Sequence, residues 1–112
     1  MVDKRFIAGL ELFNGADFFE CHEVIEELWL ETPAVDPLRD LYKGVIQAAA
    51  AIYQEERGIH SGAKGLLRTA VGYLEKYSPE SQGLDVERLV TDLKKYFASS
   101  DKRHFKLRYR SP

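Results

Sequence analysis

The chain has 112 residues, 45% of them hydrophobic and 30% charged, with a net charge of −2. A chain this size buries roughly 65% of its unfolded surface, enough for one core without staples, so a single ordinary domain is expected rather than a disordered segment. Cys21 is the only cysteine, which excludes an internal disulfide, and the longest mostly apolar run, 44–53, is too short to span a bilayer.

Asp3 can cap a first helix in which Phe6, Ile7, Leu10 and Phe13 recur at helical spacing. That helix is expected to end at Asn14-Gly15, where a positive φ costs little. Asp17 then reads as the cap of a second helix, with Glu20 three residues on completing a capping box. So short a link favours an antiparallel helical hairpin. The second helix should run from Phe18 to about Glu31, because Thr32 precedes Pro33 and is pushed out of the helical region. At about 100° per residue, Phe18, Phe19, His22, Ile25, Glu26 and Trp29 share one side, while Glu20, Glu23, Glu27 and Glu31 form a solvated row on the other.

Asp36 followed by Pro37 predicts a third helix from Pro37 to about Arg57. Leu41, Val45, Ala48, Ala49 and Ile52 make its apolar side, widened by Tyr42, Ile46 and Tyr53. A second stripe, Asp40, Lys43, Gly44, Gln47, Ala51 and Gln54, is polar or small throughout. Gly58 is a natural stop, and Ser61 is expected to cap a fourth helix running to about Tyr77. Gly62, Gly65, Thr69 and Gly72 recur along it despite glycine's helix penalty, which predicts close approach to a neighbour, with the third helix and its own Gly44, Ala48 and Ala51 as the expected partner. The fourth helix's opposite face is Leu66, Leu67, Ala70, Tyr73, Leu74 and Tyr77. After a loop at 81–83, Asp85 caps a fifth helix with Val86, Leu89, Val90, Leu93, Tyr96 and Phe97 on one face, and no strand is expected before residue 100.

The tail alternates instead, with His104, Lys106, Arg108 and Arg110 against Phe105, Leu107 and Tyr109, the period of an extended arm. Residues 99–112 hold five basic side chains against Asp101, a net +4, so an acidic body at 1–98 carries a basic arm. Aromatic and basic residues interleaved in this way can bind phosphates and stack bases. With so few charges, packing of the arm on the body or on a partner subunit is the favoured reading, and nucleic acid the disfavoured one.

The run Phe13-Asn14, then Phe18-Phe19-Glu20-x-His22-Glu23-x-x-Glu26-x-x-Trp29, resembles the signature of domain of unknown function family 309. Tyr42-Lys43-Gly44-Val45-Ile46-Gln47 and the alanines after it are similar to that family's second motif, and Gly62-Ala63 before Leu66-Leu67 to its third. The resemblance covers most of residues 5–75. It implies an all-helical bundle and leaves the activity unassigned.

His22 and Glu26 carry the most distinctive chemistry. In helical zinc hydrolases of the His-Glu-x-x-His type, two ligands four residues apart hold the metal and the intervening glutamate acts as general base. Here His22 and Glu26 would be the ligands and Glu23 the base, with Glu26 in place of the second histidine. A third ligand would have to come from His60, Asp40 or Glu55. The alternative is a polar network, in which Lys43 or Gln47 partners Glu26 so that no carboxylate is buried alone. Cys21 points away from His22 and reads as packing, as does Trp29.

The sequence therefore predicts an all-α, compact bundle of about five helices over 1–98, built from antiparallel hairpins, with a basic arm over 99–112. The functional expectation is a non-catalytic ligand-binding or protein-interaction module with a polar pocket of His22, Glu26, Lys43, Gly44 and Gln47. A divalent-metal hydrolase through His22 and Glu26 is the alternative, so catalysis stays open, and no cofactor is required. A homodimer and a small molecule are the open partners. With no apolar signal core after Met1 and no membrane span, the cytoplasm is the expected compartment.

Overall fold

The computed structural model describes residues 1–111. Five helices dominate it: α1 (Lys4–Asn14), α2 (Phe18–Glu31), α3 (Arg39–Glu56), α4 (His60–Leu74) and α5 (Val86–Ala98). The protein is all-α, with a short 3-10 turn after α4 and one two-residue hairpin, β1 (Glu80–Ser81) with β2 (Leu84–Asp85).

Local chemistry sets most of these boundaries. The Asp3 carboxylate accepts from the Arg5 amide at 2.8 Å and opens α1, and Asp85 does the same for α5 through the Arg88 amide at 2.9 Å. Asp36 accepts from the Leu38 amide at 2.8 Å, so α3 starts at Arg39, two residues after Pro37. Asp17 precedes α2 as expected, but its side chain makes no capping bond and the capping box with Glu20 is not formed. The positive φ of the first turn falls on Ala16, at 62°, rather than at Asn14-Gly15. The loop expected at 81–83 is instead a tight hairpin turn. Gln82 and Gly83, with φ of 51° and 79°, supply the two positive values that a two-residue hairpin needs.

Consecutive helices pack on one another, α1 on α2, α2 on α3 and α3 on α4. The three residues at 15–17 and the three at 57–59 fold the chain back into the α1/α2 and α3/α4 hairpins. The core runs through Phe6, Leu10, Phe13, Ile25, Leu41, Val45, Ile52 and Leu74 into Leu84, Leu89 and Leu93. Because α1 and α3 both cover α2, its buried stripe is Phe18, Cys21, Ile25 and Leu28. Phe19, expected inside, is 41% exposed, and His22, Glu26 and Trp29 lie on the flank of the buried stripe.

One glycine expectation is corrected and another holds. The glycines of α4 do not meet a neighbouring helix: a Cβ on Gly72 would touch no atom within 4 Å, those on Gly62 and Gly65 would meet only Ile59 and Arg68, and α4 packs through Ala63, Ala70 and Leu74 instead. The close approach is made by α3, where a Cβ on Gly44 would sit 2.8 Å from Leu74 Cδ2.

The arm lies back over the body. Lys102 Nζ donates to the carbonyls of Tyr96 and Phe97 at 2.8 and 3.2 Å, closing the end of α5. His104 meets Glu56 at 2.7 Å. Asn14 exchanges two bonds with Leu107, whose amide donates at 2.7 Å and whose carbonyl accepts at 3.1 Å. Arg108 and Arg110 then pair through their backbones with Asp85 and Gly83, beside the hairpin. Leu107 is buried and Phe105 and Tyr109 pack against the core.

A candidate binding cleft between α2 and α3

Lys43, Gln47, Ala50 and Gln54 fall within about 60° of one another at 100° per residue, which makes a single stripe along α3. All four are half-buried, between the face of α3 that packs on the core and open solvent. At one end the stripe meets Trp29. The Lys43 ammonium and the Arg39 guanidinium each lie 4.2 Å from the indole ring, close enough for cation–π attraction. Arg39 also donates to the Trp29 and Thr32 carbonyls, satisfying acceptors that the end of α2 leaves open.

The other end opens into a cleft of about 190 Å³ lined by Phe18, Phe19, His22, Ala50, Tyr53 and Gln54. The Phe19 ring lies against two neighbours. The His22 imidazole is 6.2 Å away at 24°, and the Tyr53 ring 5.6 Å away at 31°. Arg57 places its guanidinium 5.4 Å from the Tyr53 ring. A second hollow, on the Asp17 side, shares Phe18, Phe19 and Tyr53 and adds Ala16, Asp17, Glu20 and Glu56.

The side-chain carbonyl oxygens of Gln54 and Gln47 are buried and have no hydrogen-bond partner. Such groups are rare in folded proteins, since an unpaired acceptor loses its water and gains nothing in return, at a cost of about 1–3 kcal/mol. Gln54 is in the wall of the cleft and Gln47 lies two helical turns away on the same stripe.

The residues singled out from sequence are only partly brought together. His22 lines the cleft, and its Nε2 is 2.9 Å from Glu26 Oε2. Glu26 itself faces a shallow outer hollow with Glu23, Glu27 and Leu30. Gln47 is in the seam, while Lys43 is committed to Trp29. Gly44 is not at this surface, because its open side faces Leu74 and Tyr73 of α4. The third metal ligands considered lie elsewhere: His60 pairs with Glu55 at 2.8 Å and Asp40 with Lys76 at 2.6 Å. Among the described residues, no three His, Cys, Asp or Glu side chains are grouped to hold a metal ion.

The sequence reading left Phe19, Tyr53, Ala50 and Gln54 out of the site. Gln54 had a signal, seven residues after Gln47 in the same polar stripe, whereas the outward turn of Phe19 depends on where α1 and α3 sit. Burial pushes the Cys21 thiol up to about 12, against a weaker lowering by a backbone hydrogen bond at Phe13, so it stays a protonated packing group. The carboxyl of Glu55 is held below its ordinary value, first by the hydrogen bond from His60 and then by the charges of His60 and Lys102, against a desolvation that raises it.

Fold and site together define a small all-helical protein with an aromatic cleft, Gln54 in its wall, between its second and third helices. The chain belongs to the family described as Domain of unknown function (DUF309), whose profile matches residues 6–66, from α1 into α4. It is 39% identical over 93 residues to the uncharacterized protein YpuF of Bacillus subtilis (strain 168), a match covering 80% of this chain and 53% of the relative. The chain thus spans about half the length of that relative. Among the described residues, no helix is long and apolar enough to cross a membrane.

Proposed function

We propose that this chain is a non-catalytic binding protein that seats a small molecule in the cleft between α2 and α3. The observation that carries this reading is Gln54, a residue of the cleft wall whose side-chain carbonyl oxygen is buried and has no hydrogen-bond partner. A ligand that donates a hydrogen bond to that oxygen as the Gln54 side chain turns into the cleft would recover what the free protein forgoes. Phe18, Phe19 and Tyr53 would supply the apolar contact and His22 a polar edge, the usual mix of a ligand site. At about 190 Å³ the cleft is smaller than the roughly 300–1,000 Å³ of sites for drug-sized molecules, so the ligand has few heavy atoms.

Ligand-observed NMR with a set of small fragments tests this. Fragments bearing an N–H or O–H donor are expected to bind the wild-type chain and to be lost in Gln54→Leu, with the helical circular dichroism unchanged. Binding that persists in Gln54→Leu, or no fragment bound at all, would contradict the assignment.

A further inference from the structure

We infer that the molecule taken by this cleft is a small organic cation with an N–H donor, such as a primary alkylammonium. The inference rests on the binding role assigned above and narrows it to one ligand class. The orphaned atom of the cleft lining, Gln54 Oε1, is an acceptor, so a ligand that meets it must donate. Ring faces form the walls, and a cation set over Tyr53 or Phe19 is attracted by the ring quadrupole. Tyr53 already draws one cation of this chain, the Arg57 guanidinium at 5.4 Å.

The rim has the matching sign. Asp17, Glu20 and Glu56 border the hollow that adjoins the cleft across Phe19 and Tyr53. Against these three carboxylates stand Arg57, the positive start of α2, and two histidines already paired, His22 with Glu26 and His104 with Glu56. The balance is negative. An anion would meet the carboxylates with Arg57 and the start of α2 alone to oppose them, and a neutral alcohol would satisfy Gln54 and gain apolar contact but no electrostatic attraction from rings or rim.

The test uses three probes of one shape, n-butylammonium, 1-butanol and butyrate, titrated into the full ¹⁵N-labelled chain. The expected result is that n-butylammonium moves the Gln54 side-chain amide and the Phe19 and Tyr53 resonances, with an affinity about tenfold above 1-butanol, and that butyrate moves none. Glu20→Gln should weaken the ammonium several-fold and leave 1-butanol unchanged, and Tyr53→Leu should weaken the ammonium several-fold more than it weakens 1-butanol. Equal binding of 1-butanol and n-butylammonium at the cleft would overturn the cation assignment while keeping the binding role. Shifts confined to the exposed row of Glu23, Glu27 and Glu31, or no shift at the cleft with any probe, would overturn it as well.

Discussion

Leu74 of α4 fills the space beside Gly44 of α3, so closely that a Cβ on Gly44 would lie 2.8 Å from both its Cγ and Cδ2. Both residues are buried in the α3/α4 interface. Gly44→Ala gains about 1 kcal/mol of helix propensity but overpacks the interface, a fault that costs about 1–3 kcal/mol. The net expectation is a loss of about 1 kcal/mol, seen as a lower urea midpoint at unchanged slope. Fragment binding by the folded protein should not change, because Gly44 faces away from the cleft.

Gly72 gives the opposite expectation. It is helical and exposed, and a Cβ there would meet nothing within 4 Å. Gly72→Ala should therefore stabilise by about 0.5–1 kcal/mol through helix propensity and a less flexible unfolded chain. A thermal or urea melt reads this directly, and a destabilised variant would mean that another surface covers this face of α4 in solution.

The arm is held through Asn14, whose side-chain amide both accepts from and donates to the Leu107 backbone. Asn14→Ala leaves those two backbone groups without their partner and should cost about 1–3 kcal/mol. Hydrogen exchange should quicken first at Leu107 and at Arg110, whose amide pairs with Gly83. Protection of α2 and α3 should fall only with global stability. Equal loss everywhere would show that the arm unfolds with the bundle rather than ahead of it.

Glu55 links stability to pH. Its folded pKa is lowered, first by the hydrogen bond from His60, so the folded state binds fewer protons than the unfolded state in the acid range. The stability it contributes is full above the unfolded value of about 4.3 and disappears as pH falls through the lower folded value. Asp3 adds to the same trend, its carboxyl lowered chiefly by the Arg5 backbone amide. Glu55→Gln should flatten the dependence of unfolding free energy on pH below about 4.3 and leave the slope near neutrality unchanged. An unchanged acid slope would contradict the role given to the His60 contact.

What was legible in the sequence followed the range of the physics. Asp3, Asp36 and Asp85 act within three residues of themselves, and Pro33 acts on its immediate neighbour, so helix starts and stops could be read locally. Which face of a helix is buried depends on distant partners. That is why the sequence offers Gly44 both to the fourth helix and to the ligand surface, when only the contact with α4 is formed, and why it gives Gly72 a neighbour that it does not touch. The β1/β2 hairpin was hidden because two-residue strands have no periodicity to detect. His22, Gln47 and Gln54 were visible as polar residues on apolar helices. The aromatic wall that joins them, Phe19 against Tyr53, exists only once α2 and α3 are set side by side.

A crystal structure of the chain soaked with n-butylammonium tests the central claim most directly. The account predicts the molecule between Phe19, Tyr53 and His22, with its nitrogen within hydrogen-bond distance of Gln54 Oε1. A fully occupied ligand elsewhere, with the Gln54 carbonyl still unpartnered, would contradict it.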